Sequence, residues 1–74
     1  MIIRSCTEEV MENICEGFAR YPIQVTDAEG DLYNIRISDE IPYILKYNAP
    51  MCILEIGATR IDFNKDEVFN IEIM

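Results

Sequence analysis

Apolar side chains recur at three- and four-residue spacing near the start of the chain, at Val10, Met11, Ile14, Cys15 and Phe18. This period is typical of an amphipathic helix, which we expect from about Thr7 to Arg20. At 100° per residue, four glutamates fall together on the opposite arc: Glu8, Glu9, Glu12 and Glu16. The segment is therefore predicted to bury one side and to present an acidic side to solvent.

The ends of this helix carry further signals. Thr7, or Ser5 with Glu8 three residues later, is a candidate N-terminal cap, and Pro22 is expected to end the segment. Glu16 and Arg20 are spaced for a favourable ion pair at i,i+4. Gly17 lies at the margin of the apolar arc, where we expect the missing side chain to let a strand approach closely.

Beyond Pro22 the hydrophobic period changes to two. Residues 23–26 and 33–38 alternate apolar and polar side chains around the loop 27–31, which predicts a β-hairpin. Gly30 is the loop residue that can adopt a positive φ. Residues 43–47, between Pro42 and Pro50, predict either a short strand or an aromatic-rich connection.

A second hairpin is predicted around Gly57-Ala58, since glycine first in a two-residue connection suits a type II′ turn. This register places Glu55 opposite Arg60. A last strand over residues 69–73 is predicted to follow the next loop and to pair Phe63 with Phe69. The fold class is thus predicted as α+β, a single domain over residues 1–74 with one N-terminal helix packed on a curved sheet of four to five antiparallel strands. A small, partly closed barrel is the alternative.

The net charge of the chain limits the classes of molecule that we expect it to bind. The chain has 14 acidic and 6 basic residues and no histidine, for a formal net charge of −8. Such a field repels nucleic acid and anionic lipid, so we expect neither direct nucleic-acid binding nor membrane binding. No run approaches the roughly 20 apolar residues of a membrane span, and no signal peptide is recognisable, so a cytoplasmic location is expected. Three cysteines without a CxxC pair are expected to be reduced.

The sequence contains few of the residue types and motifs that catalysis usually requires. Without histidine or a recognisable nucleophile motif, we expect no enzyme, no catalytic residue and no cofactor. Three dispersed cysteines do not make a structural zinc site. The loop Asp27-Ala28-Glu29-Gly30-Asp31 resembles only the first five positions of an EF-hand loop, so divalent-cation binding there is a remote alternative to a solvated turn.

Recognition by surface is the function that remains. We expect a binding module that docks on a basic surface of another protein, through the acidic residues Glu8, Glu9, Glu12, Glu16, Asp27, Glu29, Asp31, Asp39 and Glu40. A compact acidic chain can imitate a phosphate backbone and occupy a nucleic-acid-binding surface, as some small phage-encoded inhibitors do. The plain alternative is an acidic face that only keeps the protein dissolved.

A second functional hypothesis is self-assembly. In the alternating segments, four apolar residues occupy positions that face away from the main apolar set: Leu32, Ile44, Ile53 and Met74. They would leave apolar sheet surface for a homodimer or a larger structural assembly to bury.

Overall fold

The computed structural model describes all 74 residues, Met1 to Met74. In chain order the elements are β1 (Ile2–Ile3), α1 (Glu8–Gly17), β2 (Pro22–Thr26), β3 (Leu32–Arg36), β4 (Tyr43–Asn48), β5 (Met51–Ile56), β6 (Thr59–Asn64) and β7 (Phe69–Ile73). Strands hold 47% of the residues and the helix 14%, so the protein is mainly β.

The helix forms where the 3.6-residue period predicts it, although it is shorter at its C-terminal end. The Thr7 hydroxyl accepts a hydrogen bond from the Val10 N–H at 3.2 Å, which satisfies one of the free donors of the first turn. Met11, Ile14 and Cys15 are buried. The helix ends at Gly17, and Arg20 adopts a left-handed φ of 73° beyond it. No helix of this fold has the length and apolar composition needed to cross a lipid bilayer.

The strands form two separate antiparallel sheets. The first sheet has the order β1-β7-β2-β3, and the second has the order β4-β5-β6. Within the first sheet, the predicted hairpin of β2 and β3 pairs Val25 with Tyr33, and Gly30 in its loop has a φ of 89°.

The second sheet shows which of the two structures predicted for residues 43–47, a short strand or a connection, is formed. Residues 43–48 form strand β4, which pairs with β5. Strands β5 and β6 pair Glu55 with Arg60, as predicted. Gly57 has a φ of 59° while Ala58 keeps a negative φ, the pattern of a type II′ turn.

The predicted fold class is wrong. A four- to five-stranded sheet with a helix packed on it is not formed, and no ladder joins the strands into one barrel. The apolar faces of the two sheets instead share one core of 15 buried residues, to which the helix adds Met11, Ile14 and Cys15. Two facing sheets bury two apolar faces at once, whereas one short helix could cover only part of a single sheet.

The strand pairings of β7 and β1 explain why the predicted fold class was wrong. Strand β7 leaves β6 and pairs with β2 and β1, so Phe63 and Phe69 are not ladder partners. Their rings nevertheless stack with centroids 4.3 Å apart, because the two strands face each other across the core. Strand β1, which holds only Ile2 and Ile3, was not predicted from the sequence.

Candidate binding surface

The outer side of α1 is mainly acidic. Glu8, Glu9, Glu12 and Glu16 are all exposed. The three ion pairs of the protein lie elsewhere, joining Arg20 to Asp39, Lys46 to Glu55 and Arg60 to Asp62. The four helix carboxylates therefore have no basic partner within the protein, and they repel one another at i,i+4 spacing.

The connection between β3 and β4 places further acidic residues beyond the C-terminal end of the helix. Arg20 contacts Asp39 at 3.3 Å, so the predicted pair of Glu16 with Arg20 is not formed. The side chains of Arg20 and Asp39 are 75% and 87% exposed, so solvent screens this pair strongly. Glu40 is exposed and unpaired. Asp39 and Glu40 therefore remain accessible to a partner.

The three predicted acidic residues in the loop between β2 and β3 differ in their exposure to solvent. Glu29 and Asp31 are exposed, whereas Asp27 is only 8% exposed. The Asp27 carboxylate accepts hydrogen bonds from the N–H of Glu29 at 3.0 Å, the N–H of Asp31 at 2.9 Å and the Tyr33 hydroxyl at 3.4 Å. The Asp27 carboxylate thus holds the turn together, and Glu29 and Asp31 are the acidic side chains that this loop exposes.

Tyr33 is held as a donor to this carboxylate. Burial, followed by the negative charges of Asp27 and Asp31, raises the pKa of the Tyr33 hydroxyl above its ordinary value. The hydroxyl therefore keeps its proton at neutral pH and donates to Asp27.

The same loop gathers three carboxylates. Ligand oxygens of Asp27, Glu29 and Asp31 lie within 4.8 Å of one another. The Arg60 guanidinium lines the adjoining cavity, where it pairs with Asp62 at 2.8 Å. Because the Asp27 carboxylate already accepts hydrogen bonds from N–H groups of the turn, we expect a calorimetric titration with millimolar calcium to show no heat of binding. A saturable isotherm that is lost in the Asp31→Asn variant would contradict this expectation.

The three cysteines lie in the core as free thiols. Burial raises the pKa of the Cys6 and Cys15 thiols to about 12, and it also raises the pKa of Cys52. All three thiols are therefore protonated at neutral pH and shielded from solvent, so none is placed to act as a nucleophile.

A groove between α1 and β1 was missed by reasoning from the sequence. It measures about 440 Å³ and is lined by Met1, Ile3, Val10, Asn13, Ile14, Gly17 and Phe18. A Cβ atom built on Gly17 would meet no atom within 4 Å, so the expected close approach of a strand to this glycine is wrong. The signals available were the apolar margin of the helix and the Ile2-Ile3 pair, but two residues are too few to indicate a strand.

Comparisons with protein-family models, with curated proteins and with solved structures found no match to this chain.

Proposed function

We propose that the protein is a small, non-enzymatic binding module that docks the acidic face of α1 on a basic surface of a partner protein. The observation that carries the proposal is the set of four exposed helix glutamates without an internal basic partner. Their mutual repulsion opposes helix formation. A basic partner surface would relieve that repulsion and would gain from charge complementarity.

The spacing of these charges supports a finer proposal, that the partner surface is one that ordinarily holds nucleic acid. From Glu8 to Glu16 the helix rises about 12 Å at 1.5 Å per residue, so its four charges lie on average about 4 Å apart along the axis. One strand of B-DNA carries a phosphate about every 3.4 Å along its axis. The helix face thus matches the linear charge density of a single strand, and a module of this kind would act as an inhibitor of the partner.

The acidic residues outside the helix have different places in this proposal. Asp39 and Glu40, which lie beyond the end of α1, extend the charged surface. Glu29 and Asp31 form a separate charged loop at the turn of the β2–β3 hairpin. We therefore assign the main contact to the helix and a supporting role to the 39–40 segment.

Affinity purification with mass spectrometry at low and high salt tests the proposal. The informative variant is the double substitution Glu12→Gln with Glu16→Gln. Its matched control is Asp66→Asn with Glu72→Gln, which removes the same charge from exposed positions outside the helix. We expect a salt-sensitive partner with a basic surface, captured by the control and lost from the helix variant. Equal capture by both variants would show that the helix face is not the site.

Competition tests the finer proposal separately. If the partner surface ordinarily holds nucleic acid, a DNA duplex should displace the protein from its purified partner. A partner that binds both ligands at once would refute nucleic-acid mimicry while leaving acidic docking intact.

Self-assembly is the second candidate, supported by exposed apolar side chains on the outer faces of both sheets. Ile2 and Leu32 are 59% and 61% exposed, and the register places them in one row with Asn70 and Thr26. Ile44 is 53% exposed on the second sheet. Light scattering over a range of protein concentrations tests this candidate. A monomer throughout would refute it, and a salt-insensitive dimer broken by Leu32→Asp would support it.

A further inference from the structure

The groove between α1 and β1 has the composition of a site for a small molecule. Its volume of about 440 Å³ lies within the range of about 300 to 1,000 Å³ that is usual for ligand pockets. Most of its lining is apolar, and its polar groups belong to Asn13 and to the chain terminus at Met1. An apolar concavity with a few polar groups binds the body of a ligand through the former and orients it through the latter.

The apolar lining has surface left to offer. Ile3, Val10 and Phe18 are only partly buried, although they pack against the core. Gly17 adds no side chain to the groove, and a Cβ atom built there would meet no atom within 4 Å. An apolar body in the groove would therefore bury surface that water now contacts, which favours binding.

Met1, which belongs to the lining, carries a positive charge without an anionic partner. Its ammonium donates to Asn70 Oδ1 at 3.0 Å and to the Ile71 carbonyl at 2.7 Å, and both acceptors are neutral. The three ion pairs of the protein involve other residues. An ammonium has three N–H donors, so one donor of Met1 has no acceptor in the protein. A ligand carboxylate would complete both the charge pair and the hydrogen bonding of this group.

The acidic side of α1 does not line the groove. The lining contains no carboxylate. At 100° per residue, Asn13 lies between Glu9 and Gly17 around the helix, and Glu9 is exposed to solvent. Salt screens the charge of exposed glutamates over about 8 Å at physiological ionic strength, whereas the ammonium can contact a ligand directly. The contact with Met1 therefore outweighs the repulsion by the helix.

We propose that this groove binds a small monocarboxylate with an apolar body. The apolar body lies along Val10, Ile14 and Phe18. The carboxylate accepts a charge-assisted hydrogen bond from the Met1 ammonium, and the Asn13 amide is a second donor. This site is separate from the exposed glutamates, so the inference does not rest on the docking of α1 on a partner protein.

The experiment compares three ligands of equal chain length, octanoate, octanol and octylamine, which differ only in the head group. Each is titrated against the full chain with a free amino terminus, and amide chemical shifts of isotope-labelled protein report the binding. We expect octanoate to bind at least about tenfold more tightly than octanol, because the alcohol cannot make the charge-assisted bond, and octylamine to bind most weakly. The amides of Ile3, Val10 and Gly17 should shift.

Two variants with matched controls test the charge and the space separately. Asn13→Asp adds a carboxylate to the groove and should weaken octanoate binding by about fivefold, whereas Asn48→Asp adds the same charge at an exposed position on β4 and should change it by less than about twofold. Gly17→Leu fills the groove and should weaken octanoate and octanol alike. Gly17→Ala leaves the groove open and should weaken neither. Urea unfolding verifies that each variant is folded.

The charge of Met1 is tested by a synthetic chain with an acetylated amino terminus. Octanoate should then bind no better than octanol, while the affinity for octanol, which does not depend on the ammonium, should stay the same. An unchanged preference for octanoate would overturn the role of the ammonium.

The remaining outcomes decide the inference without touching the proposed function. Equal binding of octanoate and octanol to the unmodified chain, tightest binding of octylamine, or no binding of any of the three would overturn it. Octanoate binding that Gly17→Leu leaves unchanged would place the ligand outside the groove. A protein dimer that Gly17→Leu dissociates would assign the groove to a second copy and also overturn the inference. Acidic docking is tested independently, by the Glu12→Gln with Glu16→Gln variant.

Discussion

Reversing one charge at the C-terminal end of α1 should stabilise the protein, whereas the same reversal at the N-terminal end should not. The helix has glutamates in its first turn and no basic residue in its last turn, where Glu16 lies beside the negative end of the helix dipole. Glu16→Lys replaces the repulsion of Glu12 with an attraction, a change of about 0.4 to 1 kcal/mol. It also places a favourable charge at the dipole end, a change of about 0.6 to 2 kcal/mol. We expect the free energy of unfolding to rise by about 1.5 kcal/mol.

The same reversal at Glu8 is the matched control. Glu8→Lys changes the net charge equally and also removes one repulsion, with Glu12. It puts a positive charge at the positive end of the dipole, so the two contributions nearly cancel and the net effect is expected between zero and a loss of about 0.5 kcal/mol. The variants should therefore differ by about 2 kcal/mol, or roughly 10 °C in Tm for a domain of this size.

Urea unfolding at low ionic strength measures this difference. At 1 M NaCl the Debye length falls to about 3 Å, so most of the difference should disappear. Equal stabilities for the two variants would refute the assignment of dipole and pair contributions to this helix. A difference that persists at 1 M salt would show that packing, and not charge, sets it.

Further predictions concern the loop, the thiols and the glycines. Asp27→Ala should cost about 1 to 3 kcal/mol in urea unfolding, because loop N–H groups lose their acceptor; no loss would contradict this role. Burial raises the pKa of Cys6 and Cys15 from 9.0 to about 12, so the unfolded chain releases these protons first. The contribution of these two thiols to the free energy of unfolding should be fully present below pH 9 and should fall as the pH rises toward 12. A urea midpoint that stays constant over this range would contradict the prediction. Gly57→Ala should destabilise by about 1 kcal/mol or more, since its φ is positive and Ile41 lies 3.3 Å from the added Cβ. Gly17→Ala should stabilise the helix by about 0.5 to 1 kcal/mol, and the same urea assay ranks both glycine variants.

Local structure was largely predictable because local chemistry determines it. The helix follows from its apolar period and from the Thr7 cap, and both belong to one stretch of chain. The hairpins follow from alternation interrupted by Gly30 and Gly57, each of which has the positive φ that its turn needs. The pairing of Glu55 with Arg60 then follows from the two-residue turn, which fixes the register.

The division into two sheets could not be predicted in the same way. An alternating strand presents the same pattern whether its neighbour lies beside it or across a core. Phe63 and Phe69 illustrate this ambiguity, since their contact is satisfied across the core as well as it would be within one ladder. The burial of Asp27 was equally hidden, because an aspartate in a polar loop has the same sequence signature whether it faces water or the backbone.

The sheet division also determines what the acidic helix can do. In a single sheet, α1 would lie across the strands and the margins of its apolar face would be covered. Here the facing sheets bury each other, and the helix contributes Met11, Ile14 and Cys15 to their shared core. Its margin toward β1 stays open as a groove, which Val10, Ile14 and Phe18 line with apolar side chains. An exposed acidic face alone would attract any cation, whereas apolar surface on the same helix would let a partner be selected by shape as well as by charge.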